Sequence, residues 1–230
     1  MGGQACVLYG AAEFTKDVDL AVSPKVEDLP PVVDALALLG AKRIAVPEFK
    51  AQHLEAGHAI HFRATDPEIG GLRIDLMSRM RGAPEFEQLW NNRSEVQLED
   101  GSIIALVGIA DLVTTKKTQR DKDWPMISRL VAANYISESA SADPRKSRFW
   151  LRELRSPELL IEASSIFPAL AKELLAERPL LSLAINENLE ALSAALREEE
   201  NVERKLDREY WLPLRKELET LRHLERNLER

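Results

Sequence analysis

The segment Thr15-Lys16-Asp17-Val18-Asp19-Leu20 constrains the fold more than any other stretch, because it sets two carboxylates one residue apart in an apolar frame. In an extended chain side chains alternate faces, so Asp17 and Asp19 project together while Val18 and Leu20 point into a core. Two carboxylates a few ångströms apart repel unless a cation lies between them. Hard divalent cations, Mg²⁺ or Mn²⁺, take oxygen ligands and suit such a pair. An Asp-x-Asp alone is weak evidence for a metal. Here it follows Gly2-Gly3 and an apolar stretch, Ala5-Cys6-Val7-Leu8-Tyr9, with helical spacing over 4–9 that Gly10 ends.

The strand carrying the two acids runs from Thr15 to Val22, and Ser23-Pro24 stops it. Val26, Leu29, Val32, Val33, Leu36 and Leu39 then keep helical spacing up to Gly40, with Pro30-Pro31 suited to a first turn. A short strand is expected over 42–46, and 49–56 has no clear pattern. The alternating runs 58–63 and 72–77 flank the turn Asp66-Pro67 to Gly70-Gly71 and read as a hairpin. Asp75 stands in the second of these between Ile74 and Leu76. Acids are rarely buried without a partner, so Asp75 is a third member of the carboxylate site, the reading favoured beside Asp17 and Asp19, or else an ion-pair partner of Arg73 or a residue at a sheet end. Phe86, Leu89 and Trp90 keep a helical core spacing within 79–93. The runs 95–98 and 102–107 read as strands about the turn Glu99-Asp100-Gly101.

A second informative stretch is Asp111-Leu112, Lys116-Lys117 and Arg120-Asp121-Lys122-Asp123-Trp124. On a helix begun near Ile109, Lys116, Arg120 and Asp123 share one face, with Lys117 adjacent. The bland alternative is a solvated face laced with ion pairs. Trp124-Pro125 reads as a kink, after which Met126, Ile127, Leu130 and Val131 continue an apolar face. The small, polar segment Ser137 to Pro144 marks a boundary. The expected domains are therefore 1–136, a linker 137–146, and an all-α region 147–230. No glycine follows Gly108. Stripes at Ile185, Leu189, Leu192, Leu196 and at Leu214, Leu218, Leu221, Leu224, Leu228 suggest a helical hairpin or small bundle with solvated Glu198–Glu200 and Arg222–Arg230 faces.

With 230 residues and a net charge of −7, the chain has ample core but no broad basic footprint, which argues against general DNA binding. The lone Cys6 excludes an internal disulfide, fits a reducing, cytoplasmic setting and reads as core filler. No apolar run is long enough for a membrane span, and no leader is expected before the first motif. His53, His58 and His61 match no standard zinc spacing, and His58 and His61 would face opposite sides of a strand.

Gly2-Gly3, the short helix, Asp17-Val18-Asp19 and Asp75 together resemble the signature of the DNA polymerase β-like nucleotidyltransferase superfamily. The basic helix resembles that of its bacterial MNT/AbiEii-like branch. The resemblance spans residues 2–131 and implies an α/β (α+β) core, a mixed sheet with packed helices, followed by an all-α C-terminal region. It departs in having only Met1 before the glycine pair, where relatives carry a strand, and Glu13-Phe14 where relatives often carry an arginine.

The resemblance implies a metal-dependent transfer of a nucleoside monophosphate from an NTP such as ATP, releasing pyrophosphate. Asp17, Asp19 and Asp75 would be catalytic and hold Mg²⁺ or Mn²⁺, with Asp75 nearest the acceptor and taking its proton. Gly2 and Gly3 would cradle phosphates, and Lys116, Lys117, Arg120 and Asp123 would serve the nucleotide. The acceptor stays open among a small-molecule hydroxyl, an RNA 3′ end and a protein. The alternative is a non-catalytic or antitoxin-controlled nucleotide-binding module of a toxin–antitoxin system, with the C-terminal helices docking a protein partner.

Overall fold

The computed structural model describes residues 1–228, the side chain of Leu228 excepted; the ends of the expected 222–230 face and of the leucine stripe lie outside the described residues. The chain divides into two compact units. The first takes Met1–Leu8, Ala12–Thr115 and the chain from Arg208 on; the second takes Tyr9–Ala11 and Lys116–Asp207.

In the first unit the chain forms α1 (Gly2–Leu8), β1 (Asp17–Ala21), α2 (Leu29–Leu38), β2 (Lys42–Arg43), α3 (Ala51–Ala56), β3 (Ile60–Arg63), β4 (Arg73–Met77), α4 (Phe86–Asn91), β5 (Ser94–Gln97), β6 (Ile103–Leu106) and α5 (Ile109–Lys116). The expected α/β character, with a mixed sheet and packed helices, is what the structure shows. Four strands form one sheet in the order β1-β4-β3-β2; β1 runs parallel to β4, and β3 is antiparallel to both β4 and β2. The parallel β1–β4 pair requires the long crossover through α2, α3 and the two intervening strands.

Strand alternation sorts the sheet into two chemically distinct faces. Ile60, Phe62, Ile74 and Leu76 project to one side and pack with Val22, Leu36 of α2 and Leu54 of α3. Each such side chain contributes about 1.5–3 kcal/mol when fully buried. The alternate positions Asp17, Asp19, His61, Arg73 and Asp75 occupy the other face. Leu20, expected in the core, is 42% exposed. Its strand lies at the sheet edge, where a single neighbour covers it. Trp90, also expected as core, is exposed and lies under the Arg93 guanidinium at 4.4 Å. Cys6 is buried, as its apolar setting suggests. β5 and β6 form a separate hairpin whose turn holds Gly101 at φ 85°.

The second unit is helical. It contains α6 (Asp123–Glu138), α7 (Pro144–Glu153), α8 (Pro157–Ile166), α9 (Pro168–Glu173) and α10 (Leu181–Ile185). Its core gathers Tyr135, Trp150, Leu151, Leu154, Leu160, Leu174, Leu181 and Leu192, with Tyr135 and Trp150 edge to face at 5.2 Å. The Tyr135 hydroxyl donates to Glu162, and burial with that carboxylate pushes its pKa up to about 12. The segment 137–146, expected as a linker, is the end of α6, a 3₁₀ turn and the start of α7, all inside this unit. Asp143 caps α7 by accepting from the N–H groups of Arg145 and Lys146.

The last element, α11, runs unbroken from Leu189–Leu228 and contributes to both units, so the two leucine stripes, expected as a helical hairpin or small bundle, lie on one 40-residue helix apart from Ile185, which is in α10. The absence of glycine and i,i+4 pairs such as Glu200–Arg204 favour continuity, and the helix runs on through Pro213.

Candidate metal centre

Register, rather than proximity in sequence, assembles the acidic site. Parallel pairing sets Asp19 beside Asp75 and Asp17 beside Arg73, while antiparallel pairing sets His61 on the other flank of Asp75. One row across three strands thus reads Asp19, Asp75, His61. Carboxylate oxygens of Asp17, Asp19 and Asp75 lie within 4.8 Å of one another.

Each carboxylate is held by a local donor. Thr15 Oγ1 donates to Asp17 Oδ1 at 2.9 Å. The Gly3 N–H donates to Asp19 Oδ2 at 3.4 Å. Arg73 Nε donates to Asp75 Oδ1 at 2.9 Å, and His61 Nδ1 lies 2.8 Å from the same oxygen. The ion pair with Arg73, one of the explanations open for Asp75 in the sequence, therefore exists together with the carboxylate cluster. Burial pushes the Asp75 carboxyl up, but hydrogen bonds from His61 and Arg73 outweigh it and hold it below its usual range. Bonding to Asp75 correspondingly raises the Arg73 pKa.

The glycine pair explains itself by close approach. A Cβ on Gly2 would fall 1.8 Å from Asp19 Oδ2, and one on Gly3 would fall 2.5 Å from Thr15 Oγ1. Gly2 also has φ 60°, a left-handed conformation that side chains resist. Both positions thus serve the residues that carry or hold the carboxylates.

The donor set is all oxygen, three carboxylates in half-buried to buried positions, and oxygen ligands of this kind suit a hard cation. His61 was not singled out from sequence as a site residue. The signal that finds it is the register of the 58–63 and 72–77 hairpin, which sets it opposite Asp75.

Compared with family models, curated proteins and solved structures, the chain matches none of them.

The basic cluster lies in the second unit and is built differently from the expected continuous helix. α5 ends at Lys116 and α6 starts at Asp123, with a loop between. The loop exists because Asp123, fully buried, accepts from Thr118 Oγ1 and from Arg120 Nε at 3.0 Å, while Trp124 Nε1 donates to the Thr118 carbonyl. These bonds hold 118–120 out of helical geometry, and Pro125, expected as a kink, sits in the first turn of α6 where its missing N–H costs nothing. Lys116, Arg120 and Asp123 do meet, with Lys116 Nζ 3.5 Å from Asp123 Oδ1 in a buried pair. Lys117 instead pairs with Glu153 at 2.8 Å.

The second unit also carries a pocket of about 460 Å³ lined by Trp124, Pro157, Arg155, Arg197 and Arg204 among others. Arg155 is bonded to Glu199, and Arg204 to Glu200 and Asp121, so acids already answer two of these three cations. No helix among the described residues is long and apolar enough to cross a membrane.

Proposed function

We propose that the chain is a metal-dependent nucleotidyltransferase, acting in the cytoplasm, that moves a nucleoside monophosphate from an NTP to an acceptor hydroxyl and releases pyrophosphate. The observation that supports this reading best is the convergence of Asp17, Asp19 and Asp75, from two adjacent parallel strands, on a common point. Three acids from neighbouring strands bring their oxygens together here, with Arg73 and His61 both bonded to Asp75.

A divalent ion held by the three aspartates would supply charge neutralisation at the attacking and leaving oxygens of an in-line displacement. The chain's own contribution is preorganisation. Thr15, Gly3, Arg73 and His61 fix the carboxylates before substrate arrives, and Gly2 and Gly3 remove the atoms that would displace Asp19 and Thr15. Phosphate approach along the α1 backbone belongs to the same proposal.

The test is incorporation of label from NTPs carried at the α- or γ-position, with Mg²⁺ or Mn²⁺, into small molecules, RNA and protein of a cell extract. Transfer of α-label alone, lost by at least about 100-fold in Asp19→Asn with the fold retained, supports the reading. Transfer of γ-label alone, or none with any NTP and either metal, overturns it.

A further inference from the structure

We propose that His61 and Arg73 are positioning residues that make Asp75 a one-oxygen ligand, and thereby tune the site to six-coordinate Mg²⁺ or Mn²⁺ against Ca²⁺. This inference rests on the cation-binding reading of the aspartates.

Both donors converge on a single atom. Arg73 Nε lies 2.9 Å and His61 Nδ1 2.8 Å from Oδ1 of Asp75, so this oxygen is occupied twice. Two acceptors 2.8 Å apart would repel, so His61 carries its proton on Nδ1 and donates it to Asp75. Nδ1 cannot also accept from Arg73 Nη2, 3.1 Å away; the shorter contact, to the carboxylate, takes the proton, and the Arg73 approach is then a donor–donor contact rather than a hydrogen bond. Oδ2 is left as the oxygen Asp75 can offer to an ion. On Asp17 one oxygen, Oδ1, accepts a single bond from Thr15 Oγ1.

Neither clamp is soft. His61 and Arg73 stand on β3 and β4, whose pairing places His61 opposite Asp75. Rotating the Asp75 carboxylate to chelate through both oxygens would break two charge-assisted hydrogen bonds in a largely buried position. Ca²⁺ takes six to eight oxygens at flexible geometry and readily uses two-oxygen carboxylates, whereas Mg²⁺ demands octahedral geometry and keeps several waters. An Asp75 carboxylate restricted to one oxygen therefore favours the smaller octahedral ions.

The experiment measures Mn²⁺ and Ca²⁺ affinities by calorimetry on the wild type, His61→Ala, Arg73→Ala, the double variant and His61→Gln, which keeps a side-chain donor. Thermal melts without metal check that each folds. We expect the wild type to prefer Mn²⁺, and the double variant to lose about 10–100-fold in Mn²⁺ affinity, as second-shell changes typically do. Ca²⁺ affinity should hold or rise, so the ratio collapses, with His61→Gln restoring part of it. A role in folding alone would lower both affinities in step, and an unchanged ratio in the variants overturns the inference while leaving the cation site intact. A folded wild type that binds neither ion overturns both this inference and the reading beneath it.

Discussion

Asp17→Asn should stabilise the protein without divalent cations and destabilise it relative to wild type when they are present. Unit charges separated by the 4.8 Å that bounds this cluster repel by about 0.9 kcal/mol in water, and by about 3.5 kcal/mol at an effective dielectric near 20. Asp17 is half-buried, so about 1–2 kcal/mol for each of its two acidic neighbours is the working range. Against this stand the Thr15 hydroxyl bond and the attraction of Arg73, together about 2 kcal/mol. The net gain on removing the charge is about 1 kcal/mol, or about 2–4 °C in Tm for a chain of this size. Adding Mn²⁺ at about 100 times its Kd should raise wild-type stability by about 2.7 kcal/mol and leave Asp17→Asn nearly unmoved, so the order of the two melts inverts. Differential scanning calorimetry in EDTA and in Mn²⁺ reads both terms. If Asp17→Asn melts below wild type in EDTA, and by the same margin in Mn²⁺, Asp17 is a structural acid and the reasoning fails.

Two further outcomes concern the second unit. Glu199 is bonded to the buried Arg178 and Arg155; burial pushes its carboxyl up, but these guanidinium groups outweigh burial and hold it below its usual range. Its contribution is therefore full above the ordinary carboxylate range and is lost as pH falls through the lower folded value. Urea unfolding should show Glu199→Gln costing about 3 kcal/mol at neutral pH, and the gap to wild type narrowing in acid. Asp123→Ala should cost about 3–5 kcal/mol in the same assay, because it strands the buried Lys116 ammonium and frees the loop at Thr118 and Arg120. A loss under about 1 kcal/mol would show that the cluster is not structural.

The acidic site was legible in sequence because strand alternation is a short-range rule. Asp17 and Asp19 share a face in any extended chain, and Asp75 stands out between two apolar neighbours. His61 was not, since its role comes from pairing register, a long-range property in which one residue of slip turns every side chain to the other face. The same limit explains Leu20, whose exposure depends on β1 being an edge strand. The helix over 109–124 failed for a local reason. Thr118 and Arg120 find better partners in Asp123 than in a helical ladder, the competition that side-chain hydrogen bonds offer to backbone ones. The single α11 was hidden because the two leucine stripes, 185–196 and 214–228, each read as a short helix.

The measurement that bears most directly on the central claim is calorimetric titration of each NTP, with and without Mg²⁺, into wild type and an Asp17→Asn/Asp19→Asn double variant. The account expects at least one NTP to bind wild type in a Mg²⁺-dependent manner and the double variant not to bind it. Binding that ignores both the metal and the two aspartates, or no NTP binding by well-folded wild type, would contradict it.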